Sequence, residues 1–192
     1  MERITVWLAA LILALGICCC AGAEGLPAWK YTGEDPIEKA AAEYTVERGK
    51  DFLNTETSVC IPEPVIIRVD KTDDTHATVY GNFWISVYEL KGDVLECISG
   101  GECPAVMQLT LQDGVWTVTG FEQTGEGEEY ASGIRDFCKG DKDLEKAYFE
   151  SADQDVIQSI RVRFVGDYVK ANNLNVKAYK DYGWDPVPLF AE

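Results

Sequence analysis

The sequence predicts an α+β fold, with a bent antiparallel sheet of about five strands and helices packed on it from both ends of the chain. Runs of β-branched and aromatic residues, separated by short turn signals, fill residues 65–123. Patterns with helical spacing precede and follow this region. No repeat or low-complexity linker divides residues 24–192, so we expect a single domain there.

The first 23 residues have the pattern of a secretory signal peptide. A short charged start is followed by an apolar segment over residues 4–20 and by the small-residue site Ala21-Gly22-Ala23. This predicts cleavage after Ala23, a secreted or cell-surface protein, and no membrane insertion after cleavage. A lipid-anchored start at one of the cysteines 18–20 and an uncleaved anchor are the alternatives, although the apolar run is short for a membrane span.

Charge restricts the classes of partner. The chain carries a formal net charge of −16. An acidic surface is repelled by phosphate backbones and by anionic lipid, so we expect neither nucleic acid nor a membrane surface as the partner. The hydrophobic fraction of 46% is too high for a disordered chain. The partner classes that remain are a small molecule, another protein, or a second copy of this chain in a homodimer.

The N-terminal helix is predicted from its first residues. Asp35 is a favourable N-cap and Pro36 suits the first helical position. Apolar residues at helical spacing then continue the pattern, which predicts a helix from about Pro36 to Phe52.

Five strands are expected in the middle of the chain. Pro62 and Pro64 are predicted to break the chain before the first strand, and Gly81 predicts a bulge in the long second strand. Asp113-Gly114 is a two-residue turn signal between the last two strands. The expected strands cover residues 65–69, 77–90, 94–98, 105–112 and 115–123.

Helical patterns return after the sheet. A short helix or turn is expected over residues 132–138, a helix over 141–150 and the longest helix over 153–173. Both faces of the long second strand are apolar, so we expect the N-terminal helix on one face and the C-terminal helices, the tail or a second subunit on the other. The tail is predicted to pack on the sheet and to bury its aromatic residues Tyr179, Tyr182, Trp184 and Phe190.

Four cysteines follow the signal segment, and this even number in an exported chain suggests two disulfides. Cys97 and Cys103 flank a glycine-rich loop interpreted as a hairpin, which predicts a bridge between them. Cys60 and Cys138 would then form the second bridge. Free thiols are the alternative.

No catalytic, metal or cofactor residue is predicted. His76 is the single histidine and lies in a polar turn beside two aspartates, which favours an exposed structural residue. The carboxylates cluster in solvated turns and loops. No Cys-x-x-Cys pair, phosphate-binding loop or dinucleotide fingerprint occurs in the sequence.

An aromatic stripe is the candidate binding feature. Tyr80, Trp84 and Tyr88 share one face of the long strand at a period of two. An exposed stripe could hold a ring-shaped or sugar ligand, whereas a buried stripe would pack against a helix.

Several segments carry a family resemblance. The runs Val79-Tyr80-Gly81-Asn82-Phe83-Trp84, Gly92-Asp93-Val94-Leu95, Ser99-Gly100-Gly101 and Val115-Trp116-Thr117-Val118-Thr119-Gly120-Phe121-Glu122 resemble those of uncharacterised exported proteins of gut bacteria. The sheet of that group is similar to the cone of the nuclear-transport-factor-like, or cystatin-like, superfamily. The resemblance covers about residues 36–138. It implies a curved sheet wrapped around a helix, often with a pocket, and transfers no catalytic residue.

The functional expectation is therefore an exported, non-enzymatic binding or interaction domain. A pocket enzyme of isomerase or hydrolase type and a dimerising surface protein are the alternatives. A pocket that contains a buried carboxylate or His76 would favour the enzyme. A filled core with an exposed aromatic patch would favour binding or dimerisation.

Overall fold

The computed structural model describes residues 25–50 and 57–190. The predicted signal peptide lies outside these residues. The secondary-structure elements are, in chain order, α1 (Pro36–Gly49), β1 (Val59–Lys71), β2 (His76–Lys91), β3 (Val94–Gly101), β4 (Pro104–Gln112), β5 (Val115–Gln123), α2 (Glu128–Cys138), α3 (Lys142–Glu150), α4 (Gln154–Ala171), β6 (Ala178–Lys180) and β7 (Val187–Pro188). Within the described ranges, no helix is both long enough and apolar enough to cross a bilayer.

The long strand β2 organises an open, mixed sheet. One edge of β2 pairs with β1, and the other pairs with β3 and β4 in succession. β5 continues the sheet beyond β4, while β6 and β7 continue it beyond β3. The predicted α+β class and its five antiparallel strands are confirmed. The structure adds β6, which runs parallel to β3, and β7.

Local signals act at α1 and at the β4–β5 turn as expected. The Asp35 carboxylate accepts hydrogen bonds from the backbone N–H groups of Ile37 and Glu38, at 2.8 and 3.0 Å, and Pro36 occupies the first turn. Asp113 and Gly114 both have positive φ, at 51° and 79°, as a tight hairpin turn requires. These local interactions fix the element ends independently of the rest of the fold.

The expected break at Pro62 and Pro64 is wrong, because β1 starts at Val59 and runs through both prolines. β1 pairs with β2 alone, so it is an edge strand and tolerates residues that lack a backbone N–H. The bulge expected at Gly81 does not lie in β2, because the extra residue, Ile67, belongs to the partner strand β1. The pairing register shifts between Ile66 and Arg68, opposite Gly81.

Helices cover both faces of the sheet. α1 packs on the face of β2 that carries Val79 and Phe83. α4 packs on the opposite face, against Tyr88, while α2 and α3 pack against Tyr80 on that same face. An ion pair between Glu38 of α1 and Arg163 of α4 joins the two layers at 2.6 Å. The apolar character of both faces of β2 follows from this double coverage.

Neither expected disulfide is formed, and all four cysteines of the described chain are free thiols. β3 does not turn back into a hairpin. It runs on toward β4 along the same edge of β2, so Cys97 and Cys103 are separated along extended chain. The sheet also separates both pairs, because Cys60 and Cys103 lie on the α1 face whereas Cys97 and Cys138 lie on the other.

The tail follows the prediction only in part. Tyr179 is 2% exposed and belongs to the core under α4, and Leu189 is buried beside it. Tyr182 and Trp184, by contrast, are 91% and 58% exposed. The expected burial of Tyr182 and Trp184 is therefore wrong, and that of Phe190, which is 38% exposed, is wrong as well. β6 and β7 anchor the two ends of the segment to the sheet, and the turn between them carries its aromatic rings outward.

Gly100 is required by the close approach of β3 to β2. Its φ is +141°, and a Cβ there would lie 2.0 Å from the backbone oxygen of Ile85. We expect Gly100→Ala to lower the free energy of unfolding by at least about 1–3 kcal/mol in urea denaturation. Gly101→Ala is the matched control, because open space surrounds its position. Equal losses in the two variants would contradict this assignment.

Candidate binding cleft

A buried network of charged and polar groups lies between the sheet and α4. Glu63 of β1 is 0% exposed, and Arg161 of α4 is 4% exposed. Arg161 donates from Nε to a Glu63 oxygen at 3.0 Å and from a terminal nitrogen to Asp181 at 2.5 Å. Tyr88 and Ser86 donate to Glu63 at 2.5 and 2.8 Å. Both Glu63 oxygens are therefore occupied by donors, as a buried carboxylate requires.

Burial and ion pairing shift the pKa of Glu63 in opposite directions. Burial raises the pKa of Glu63, while the Arg161 charge and the three donated hydrogen bonds lower it. Burial alone would lower the pKa of Arg161, but the Glu63 carboxylate beside it raises that pKa, so the guanidinium stays charged. The network holds Arg161 in a fixed position.

A cleft of about 210 Å³ opens beside this network, between the end of β3 and the segment after β6. We call it the β3 cleft. Arg161 and Asp181 reach its surface from the network, and Tyr182 stands at its rim. Its lining residues are Trp84, Ser86, Cys97, Ile98, Ser99, Gly100, Gly101, Arg161, Asp181 and Tyr182.

Trp84 lines the β3 cleft and carries an unsatisfied donor. Its indole nitrogen is buried and has no hydrogen-bond partner within the described chain. Its ring lies 5.2 Å from the Arg161 guanidinium carbon, within range of a cation–π contact. A buried N–H without an acceptor costs free energy, so an acceptor brought to this wall would stabilise the site.

The predicted aromatic stripe is divided among three environments. Tyr88 is fully buried in the core under α4, and Tyr80 packs near α2 with Arg68 over its ring at 4.7 Å. Trp84 alone lines the β3 cleft. The three residues share a face but form no common platform, because different helices cover the two ends of β2.

A second aromatic surface adjoins the β3 cleft on the tail side. A cleft of about 300 Å³ lies against the turn between β6 and β7 and shares Asp181 with the β3 cleft. Trp184 and Tyr179 are among its lining residues. Exposed aromatic rings therefore extend the β3 cleft outward at Tyr182 and Trp184.

The titratable groups in the β3 cleft are poor catalysts. Burial raises the pKa of Cys97 to about 11, so its thiol stays protonated and is a weak nucleophile. Asp181 is held by Arg161, and Glu63 does not line the cleft. His76 lies at the exposed start of β2, 3.0 Å from the Asp73 carboxylate. No group of three or more metal-ligating side chains occurs in the part of the chain that the structure describes.

Sequence reasoning missed Glu63 and Arg161. The available signal was a charged residue inside an otherwise apolar pattern. Glu63 stands between two prolines ahead of a β-branched run, and Arg161 lies among the apolar positions of α4. Their pairing could not be predicted from the sequence, because the two residues lie 98 positions apart in the chain.

Comparisons with known proteins identified no relative of this chain. No protein-family model, no curated protein and no solved structure matches the chain.

Proposed function

We propose that this protein is an exported, non-enzymatic binding module that holds its ligand in the β3 cleft. The composition of the cleft carries the proposal. It is lined by Arg161, whose guanidinium is held by two carboxylates, by Trp84, whose buried indole N–H has no acceptor, and by the exposed Tyr182. Such a combination of apolar surface and a few oriented polar groups is typical of ligand sites. The export signal and the proposed relation to the nuclear-transport-factor-like superfamily rest on the sequence.

The absence of a suitable acid or base in the cleft supports binding over catalysis. A general acid or base must lie within hydrogen-bond reach of the proton that it transfers. Glu63, the buried carboxylate with a raised pKa, is enclosed and already accepts three hydrogen bonds. The Cys97 thiol is protonated at neutral pH. The cleft is therefore better suited to holding a ligand than to transforming one.

The proposal can be tested by NMR on the full domain. A panel of free amino acids, mono- and disaccharides and short peptides is titrated while the Trp84 indole resonance and the Tyr182 amide resonance are followed. We expect a binding member to move both. Trp84→Phe should weaken that binding about fivefold, because one hydrogen bond of about 1 kcal/mol is lost.

Trp116→Phe is the matched control, since Trp116 packs with the cluster on the opposite face of the sheet. Its affinity for the same ligand should equal that of the parent. A ligand that binds without moving Trp84 or Tyr182 would refute the site. Conversion of a panel member into a product would refute the non-enzymatic function.

A further inference from the structure

We propose that the ligand is an extended, basic polypeptide segment that adds a strand to the outer edge of β3. This inference rests on the proposed function and assigns a chemical class to its ligand. An extended segment gains backbone hydrogen bonds when it pairs with an open sheet edge, and its side chains enter neighbouring pockets.

A vacancy in the sheet provides the space. On the outer edge of β3, β6 pairs only with residues 94–96. On the same side of β4, β5 pairs from Ala105 onward, and the N–H of Thr124 reaches the oxygen of Pro104. Among the described residues, no strand pairs with residues 97–103 on this edge. The vacancy is about 20 Å long at roughly 3.3 Å per residue, enough for a peptide of about six residues.

The vacancy is only partly protected. Glu102 lies within it and a register shift places a bulge at Ile98, but no proline lies within it and no strand of the described chain pairs with it. Natural proteins block exposed edges with proline, charge or covering elements, because unpaired N–H and C=O groups recruit other strands. β1 carries Pro62 and Pro64 on its own edge. Residues 97–101 are Cys-Ile-Ser-Gly-Gly, with neither proline nor charge, and open space surrounds Gly101. Backbone from another chain can therefore approach closely here.

Two clefts follow the vacancy from end to end. Residues 97–101 line the β3 cleft, and the next residues, 102–104, line a cleft of about 320 Å³ beside the start of α2. The second cleft also carries Glu126 and Tyr130. Consecutive residues of one extended segment thus line first one cleft and then the other. This arrangement fits an occupant that lies along the strand.

The charge around the vacancy favours a basic occupant. Glu102 and Glu126 line the second cleft, and Asp181 lines the β3 cleft. Arg161 is the single cation lining either cleft, and two carboxylates, Glu63 and Asp181, already pair with it. The whole chain adds a field of net charge −16. Lysine or arginine side chains of an added strand would meet the carboxylates of Glu102 and Glu126 in the second cleft.

The test compares three acetylated and amidated hexapeptides at 150 mM salt. The first alternates lysine and valine, the second replaces lysine with glutamate, and the third repeats the first with all six residues N-methylated, so that neither edge of the peptide keeps its N–H donors. We expect the lysine peptide to shift the amide resonances of residues 97–103 and to slow their hydrogen exchange. The glutamate peptide should not bind. N-methylation should weaken binding at least tenfold, because it removes the donors that strand pairing needs.

A charge variant separates docking at the vacancy from general attraction to an acidic protein. Glu126→Gln should weaken binding of the lysine peptide about threefold. Asp113→Asn, at the distant β4–β5 turn, should leave it unchanged. Equal affinity of the N-methylated peptide, or equal effects of the two variants, would overturn strand addition. A saccharide that moves Trp84 and Tyr182 when no peptide binds would overturn this inference while leaving the proposed function intact.

Discussion

Replacing Arg161 with methionine should destabilise the protein by about 3–5 kcal/mol. The substitution leaves Glu63 fully buried without its counter-ion, and removal of one partner from a buried pair typically has a cost of this size. Urea denaturation measures the free energy of unfolding. Arg163→Met is the control on the same helix, since Arg163 pairs with Glu38 at the surface and its loss should be about 1 kcal/mol or less.

The loss in Arg161→Met should also depend on pH. Without the opposing guanidinium, the pKa of the buried Glu63 rises further above the ordinary value for glutamate of about 4.3. The folded variant then favours protonated Glu63, so its stability is highest below that ordinary value and falls as the pH rises. The difference from the parent should therefore be larger at pH 8 than at pH 5. A loss equal to that of Arg163→Met, or a difference independent of pH, would contradict the buried ion pair.

Tyr179→Ala should destabilise the protein by about 3–5 kcal/mol, whereas Trp184→Ala should change its stability by no more than about 0.5 kcal/mol. Tyr179 is enclosed in the core under α4, and truncation of a large buried aromatic residue leaves a cavity. Trp184 lies in the same tail segment but is largely exposed. Thermal and urea denaturation of the two variants tests this contrast. A loss in Trp184→Ala as large as that in Tyr179→Ala would mean that the turn between β6 and β7 packs inward.

The two stability predictions and the binding proposals concern connected parts of the molecule. Arg161 fixes the floor of the β3 cleft, and Asp181 ties the tail to it. Tyr179 holds β6 against β3, which sets where the paired part of the β3 edge ends. Weakening of the tail should therefore disturb the cleft as well as the core, whereas changes at the exposed Trp184 should affect only its outer surface.

Much of the fold was readable from local sequence. Asp35 and Pro36 placed the start of α1, and Asp113-Gly114 placed the turn before β5, whose bounds match the prediction. Each of these signals acts through residues close together in the chain: an N-cap bonds to the next turn, and a hairpin turn requires particular φ values. The α+β class followed because long runs with a strand or helix period restrict the local conformation.

The remaining features depend on pairings between distant residues. Pro62 and Pro64 predicted a break in the chain. They are part of a strand because β1 lies at an edge of the sheet, where a residue without a backbone N–H is tolerated. The glycine-rich segment after Cys97 was interpreted as a hairpin. Because β2 is long, β3 and β4 instead pair with the same edge of β2 one after the other, and this also separates the two cysteines. The Glu63–Arg161 pair joins residues far apart in the chain. Sequence alone determined the helices and the central parts of the first five strands. Burial of two faces around β2 decided which strand lies beside which, and hence where β6, β7, the cleft and the vacancy occur.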